Sequence, residues 1–183
     1  MYIGENQTAI QSQGWIADAT VGLLREHPFK NISVRDICAK ADLSRQTFYN
    51  LFDSKEEVLR FCLRTNYEKL YQEQQHRGAI TLESAVSDFA DELTTDRELI
   101  QLMIEQGLET IVADEIARCV KLFANQLSPF TANEAVRPYQ EAFISGALSQ
   151  IMITWFKAEA PVSVQELMAI ILGICSGDFL RFT

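Results

Sequence analysis

The stretch from Ser33 to Phe52 constrains the rest of the chain most, because it encodes two short helices and the tight turn between them. Ser33 is placed to cap a helix whose apolar residues Val34, Ile37, Cys38 and Ala41 recur at i, i+3, i+4 and i+7. Asp36 falls at N3, where a carboxylate meets free N–H groups and the positive end of the helix dipole. Ala41, Asp42 and Leu43 form the turn, and Ser44 opens the second helix as its N-cap. Two such helices in this order make a helix-turn-helix candidate.

At about 100° per residue the second helix sorts its side chains onto two sides. Thr47, Phe48 and Leu51 fall on one, while Arg45, Gln46, Tyr49 and Asn50 share the other. The polar set is what contact with DNA requires. Arg can bond guanine bidentately and Gln adenine, while Ser44, Tyr49 and Asn50 suit phosphates. With Ser33, Thr47 and a further base-contact candidate at Arg35, these residues make up the expected DNA-binding face; the alternative is a solvated polar face on a three-helix core.

Three segments in order carry a family resemblance: Ser33 to Ile37, Ala41 to Phe52 with its Thr47, Phe48, Tyr49 and Phe52, and Asp53 to Leu59 with Ser54, Lys55 and Glu56. Together they resemble the N-terminal domain of TetR-family transcriptional regulators. The resemblance implies a three-helix DNA-binding head, a phosphate-contacting role for Lys55, and a fourth helix that ties the head to a helical body. Two features depart from the family pattern. Leu51 stands where many relatives have a phosphate-contacting His, and the tail before Thr8 lacks the Lys/Arg cluster that some relatives insert into the minor groove.

With 183 residues, 48% of them apolar, the chain can bury a real core, and its 4 Pro and 8 Gly with no alternating β-branched run favour an all-α fold. The predicted architecture is a head over residues 1–54, a connecting helix over 55–76, and a ligand-binding and dimerisation bundle over 77–183. The net charge is −9, and because acidic and basic residues balance through Arg64, all of that excess lies in the body. A neutral head can still bind DNA if its cations converge on one face, while an acidic body repels phosphate and discourages non-specific wrapping.

Cys38, Cys62, Cys119 and Cys175 have no CxxC spacing, and His27 and His76 are isolated, so buried thiols in a reducing cytosol are expected and no metal site. A signal peptide, a membrane-spanning run, a Gly-rich phosphate loop, a GxSxG elbow and an HExxH helix are all lacking. The expectation is a cytoplasmic, non-enzymatic protein with no cofactor and no catalytic residues.

Along the chain, a first helix is predicted from Thr8 to Arg25 with Ile10, Ile16, Ala19, Leu23 and Leu24 inward, ended by the turn from His27 to Asn31 with Phe29 and Ile32 as anchors. The fourth helix is predicted to reach about Gln75 on Val58, Phe61, Cys62, Thr65 and Leu70 and to close at His76 to Ala79. Body helices follow over 81–94 (Ala85, Val86, Phe89 and Leu93 inward), 96–106 (Leu99, Leu102 and Met103) and 110–127 (Ile111, Ile116, Val120, Phe123 and Leu127), the last broken at Ser128 to Phe130. Two long apolar helices complete the pattern, one from Ala132 or Val136 to Ala158 and one opened by Ser163.

Those last two helices carry more apolar surface than one protomer buries comfortably, and their small residues allow close approach, as in a four-helix bundle across a two-fold axis. Gly146, Ala147, Gln150, Ile151, Ile170, Gly173, Ile174 and Gly177 are the expected homodimer contacts; two internal core helices in a monomer are the alternative. Gly146 to Leu148 followed by Trp155 to Lys157 resembles a subgroup near dihydroxyacetone-kinase-type regulators. Candidate walls of a ligand pocket are Phe89, Met103, Phe123, Tyr139, Phe143 and Trp155, in acidic surroundings that suit a neutral or cationic molecule. The whole reads as a dimeric DNA-binding regulator, a repressor answering to a small molecule or a partner protein, with a helical adaptor of weak or no DNA binding as the rival.

Overall fold

The computed structural model describes residues 2, 4, 6–75, 81–123, 133–159 and 161–176. Among these, nine α-helices and one 3-10 turn account for the regular structure, with no strand. The chain forms two compact units, Met1–Thr65 and Asn66–Thr183, divided within the fourth helix.

In the first unit, α1 (Gln7–Glu26) is capped by Asn6, whose side chain accepts from Thr8 N. It buries Gln13, Ile16, Ala17, Thr20, Leu23 and Leu24 along one stripe, the pattern of a helix laid on a core. Ile10, expected inward, is 45% exposed, because the core begins only at the second turn. A 3-10 turn (Phe29–Asn31) buries Phe29, and Ile32 beside it is 3% exposed, so both expected anchors hold the loop.

Helix α2 (Val34–Ala41) starts with a full capping box between Ser33 and Asp36 and ends at Asp42 in the left-handed conformation, φ 53°. Asp is among the few residues besides Gly that tolerate this φ, which turns the chain sharply into α3 (Arg45–Leu51). Phe48, Leu51 and Phe52 from α3 and its end, and Val58, Leu59 and Leu63 from α4 (Lys55–Gln75), are all nearly without solvent contact. Phe52 lies 5.9 Å from Phe48 and 5.4 Å from Phe61, ring centre to ring centre, the latter edge to face. Side chains of this size each stabilise by about 1.5 to 3 kcal/mol on burial, enough to hold a seven-residue helix that would not persist alone.

The second unit packs α5 (Leu82–Thr95) against α6 (Arg97–Glu105) and α9 (Val164–Cys175), and sets α7 (Glu109–Phe123) and α8 (Arg137–Lys157) side by side. Between α6 and α7, Gly107 at φ 76° closes a Schellman motif, with Leu108 N on Met103 O and Gly107 N on Ile104 O. The inward face of α6 is Ile100, Met103 and Ile104; Leu99 and Leu102, expected inward, are only half-buried, one residue off the stripe that α7 and α8 cover. Lys157 at the C-terminal end of α8 pairs with Glu109 at the start of α7 at 2.8 Å, each charge opposing its own helix dipole. Pro138 sits in the first turn of α8, where a missing N–H costs nothing. Ser163 and Glu166 form the capping box of α9. The expected closure at 76–79, the break at 128–130, Leu127 and Gly177, with the side chains of Leu70, Leu93, Phe123 and Cys175, lie outside the described residues.

Candidate nucleic-acid interface

Burial of Phe48 and Leu51 fixes the rotation of α3, and that rotation decides which residues face water. Arg45, Gln46, Tyr49 and Asn50 are exposed, Tyr49 by 51%, its ring edge-on to Phe48 at 5.4 Å. Thr47 is half-buried and its hydroxyl lies 2.8 Å from that of Ser44, which also accepts from Thr47 N. Ser44 is thus occupied as a cap, and so is Ser33, whose hydroxyl donates to Asp36 Oδ2 at 2.6 Å and accepts from Asp36 N. The Ser33 hydroxyl and, after it, the Ser33 backbone N–H, both donating to Oδ2, hold the Asp36 carboxyl below the usual carboxylate range.

Arg35 is exposed on α2, and among the described residues neither Arg35 nor Arg45 enters a salt bridge. Both guanidiniums therefore keep their donors for an outside acceptor. Lys40 is engaged instead with Glu26 at 2.9 Å, which lowers the Glu26 pKa. Cys38 is 4% exposed, and burial raises its thiol pKa against a smaller opposing pull from Arg45, so it packs as an inert side chain.

Lys55 does something its position in the sequence does not announce. Its ammonium donates to Phe29 O at 2.7 Å and Ile32 O at 2.8 Å, and sits 4.2 Å from the centre of the Phe29 ring. A cation at the first position of a helix is badly placed for the dipole. Turning back onto the carbonyls of Phe29, where the 3-10 turn begins, and Ile32, just past its end, relieves this, and it directs the side chain into the head rather than outward to a phosphate. Two further contacts had no signal in the apolar pattern. Tyr2 N donates to Leu51 O at 2.8 Å, and Tyr2 O accepts from Gln13 Nε2 at 3.1 Å. The one clue in the sequence was a Gln three residues before Ile16, on the buried stripe of α1.

The expected pocket walls whose side chains are described differ widely in exposure. Met103 and Trp155 are core residues, with Trp155 Nε1 donating to Val162 O at 2.7 Å and the Arg97 guanidinium 4.4 Å above its ring. Phe89 is half-buried, and Tyr139 and Phe143 are 77% and 63% exposed. The last two lie outward on the side of α8 that also carries exposed Gly146 and Gln150, with Ala147 and Ile151 half-buried at its margin. On α9, Ile170 is 42% exposed and Gly173 and Ile174 are half-buried. A Cβ placed at Gly146 or Gly173 would meet nothing within 4 Å.

Residues 16–61 match the family described as bacterial regulatory proteins, tetR family. Over 62 residues the chain is 37% identical to the HTH-type dhaKLM operon transcriptional activator DhaS of Lactococcus lactis subsp. lactis (strain IL1403), a match covering 34% of this chain and 33% of that relative's length. In fold, the chain is similar to a TetR transcriptional regulator from Streptococcus agalactiae 2603V, with a TM-score of 0.62 and 17% identity over 93% of this chain and 96% of that one. A structure from Syntrophomonas wolfei str. Goettingen assigned to the same family gives 0.62 and 17% over 94% and 97%. At such identity the structural likeness is one of fold.

Proposed function

We propose that this chain, whose head matches the tetR family of bacterial regulatory proteins over residues 16–61, is a DNA-binding transcriptional regulator, not an enzyme, acting in the cytoplasm as a homodimer on a near-palindromic operator. The observation that carries this reading is the rotation of α3, which buries Phe48 and Leu51 and leaves Arg45, Gln46, Tyr49 and Asn50 facing outward as a set. A helix so oriented offers one bidentate reader of guanine and one of adenine, with hydroxyl and amide groups beside them for phosphates. No helix of the described residues is long and apolar enough to cross a membrane.

Support for the dimer comes from the outward face of α8, where Tyr139 and Phe143 lie next to exposed Gly146 and Gln150, and from Ile170 and Gly173 on α9. Large exposed rings beside glycines with open space around them suit a close helix crossing with a second copy. Two heads on a two-fold axis would place their recognition helices about 34 to 36 Å apart, one turn of DNA, or farther if the duplex is deformed. Repression is the simplest mode for such a dimer, since occupancy of the operator suffices. Activation is the second reading, favoured by the name of the Lactococcus lactis relative. Release would be driven by a small molecule or a partner protein that prefers a head spacing unsuited to DNA, because equal affinity for both states shifts nothing.

Selection of duplexes from a random-sequence library by the full chain, followed by gel shift and a reporter assay, tests the reading. Enrichment of a near-palindrome bound by a dimer is the expected result. A chain that enriches no sequence, yet remains folded, is instead the helical adaptor.

A further inference from the structure

The backbone of Tyr2, near the N-terminus, is held at both its N–H and its carbonyl. The N–H of Tyr2 donates to Leu51 O at 2.8 Å, and its carbonyl accepts from Gln13 Nε2 at 3.1 Å. Leu51 is the last residue of α3, so its carbonyl is one of those a helix end leaves without an intrahelical partner. Gln13 is 4% exposed on the inner side of α1, where an amide needs a partner to be tolerated. Tyr2 Oη also accepts from Asn6 N at 3.4 Å, and Asn6 in turn caps α1 through Thr8 N at 3.0 Å. Tyr2 thereby links α1 to the far end of the recognition helix.

We propose that the Tyr2 backbone, bonded through its N–H to Leu51 and held through its carbonyl by Gln13, is a brace that fixes the angle of α3 on the head, making Tyr2 and Gln13 positioning residues for the reading of base pairs. The proposal rests on the DNA-binding reading of α3. That helix has seven residues, and its core anchors Phe48, Leu51 and the C-cap Phe52 all lie within its last turn and just beyond. Anchors so close together define the rotation of the helix well and its tilt poorly. Ser44 caps its N-terminal end only from within the helix, and the bond to Leu51 O adds a constraint from α1's side of the head at the C-terminal end, beside Tyr49 and Asn50. No charged side chain takes part in the brace, so it influences geometry without releasing counterions. This gives the tail a role in operator binding that does not depend on basic residues.

The test uses the full chain and the duplex it selects from a random library. Tyr2→Pro removes the N–H and keeps the carbonyl, Tyr2→Ala keeps both, and Gln13→Met holds the volume while removing the donor. Tyr2→Pro and Gln13→Met should lose about three- to tenfold in affinity for the selected duplex, the worth of one hydrogen bond. Tyr2→Ala should lose less than about twofold. Binding to an unrelated duplex and the slope against salt should stay as in the wild type, while base preferences flatten; loss of folding alone would not produce this combination. Tyr2→Pro lies outside the core, so it remains informative if Gln13→Met folds poorly. Equal binding by Tyr2→Pro and wild type overturns the brace, as does a Tyr2→Ala defect as large as that of Tyr2→Pro. So does a loss on both duplexes with a shallower salt slope, which would make the arm a phosphate contact. A wild-type chain that selects no duplex overturns the DNA reading itself, a different result from any of these.

Discussion

Replacing Lys55 by Met separates two roles that one lysine could have. Met keeps most of the stem volume and removes the ammonium, and with it the bonds of 2.7 and 2.8 Å to Phe29 O and Ile32 O and the contact 4.2 Å from the Phe29 ring. A hydrogen bond from a charged donor is worth about 1.5 to 3 kcal/mol, and a cation over an aromatic face at a partly exposed site about 0.5 to 1. Against this stands the cost of drawing the ammonium partly out of water, and the side chain is only half-buried. A net loss of about 2 kcal/mol in head stability follows, which is about 8 to 16 °C in Tm for a unit the size of the head. Thermal and urea unfolding, with gel shifts over a salt series, make the measurement. The structure predicts a clear fall in head stability and a salt slope close to that of the wild type, since the ammonium spends two of its three donors inside the head. A variant whose Tm stays within about 1 °C while the slope of log K against log salt drops by about one unit would show that the inward geometry is irrelevant on DNA and that Lys55 holds a phosphate.

Arg45→Ala and Gln46→Ala should each cost about 1 to 3 kcal/mol in operator affinity and relax preference at particular base pairs, read by competition among duplex variants; unchanged preference for both would remove the assigned face. Gly146→Leu meets nothing inside its own protomer, so it should fold normally, sediment as a monomer and lose operator binding with Arg45 and Lys55 intact; a dimer of unaltered affinity would clear α8 of the interface. The Ser33 bonds depress the folded pKa of Asp36, so its carboxylate stabilises the head fully above the ordinary carboxylate range, and that contribution is lost as pH falls through the depressed folded value. Asp36→Asn should accordingly flatten the acid limb of head unfolding below about pH 4, and an acid limb identical to the wild type would deny the capping box any such role.

Much of this architecture is legible locally, because its signals are short-range. Ser33 with Asp36, and Ser163, mark helix starts through bonds that span three residues, and Phe48 with Leu51 sets the rotation of α3 through spacing alone. Longer-range choices are not encoded that way. Ile10 and Leu99 are as apolar as their buried neighbours, and only the reach of the surrounding helices leaves Ile10 exposed and Leu99 half in water. The inward turn of Lys55 depends on carbonyls 26 and 23 residues away. The Tyr2 to Leu51 bond joins two backbones and so has no side-chain signature. Among the candidate pocket residues, Met103, Trp155, Tyr139 and Phe143 are all apolar or aromatic at helical spacing, yet two are core and two are surface.

The chain has two tryptophans, and they fall one in each compact unit. Trp15 on α1 is 46% exposed, whereas Trp155 is 5% exposed beneath the Arg97 guanidinium with its indole N–H on Val162 O. An indole in water and one in a packed interior emit at different wavelengths, so the protein carries an optical label for each half without any added dye. Trp15→Phe, at a half-exposed site, leaves the body alone visible, and subtracting its signal from that of the intact chain isolates the head. Denaturant titrations read in this way would report whether the two halves melt as one or in succession, and adding an operator duplex would show which emission it shifts.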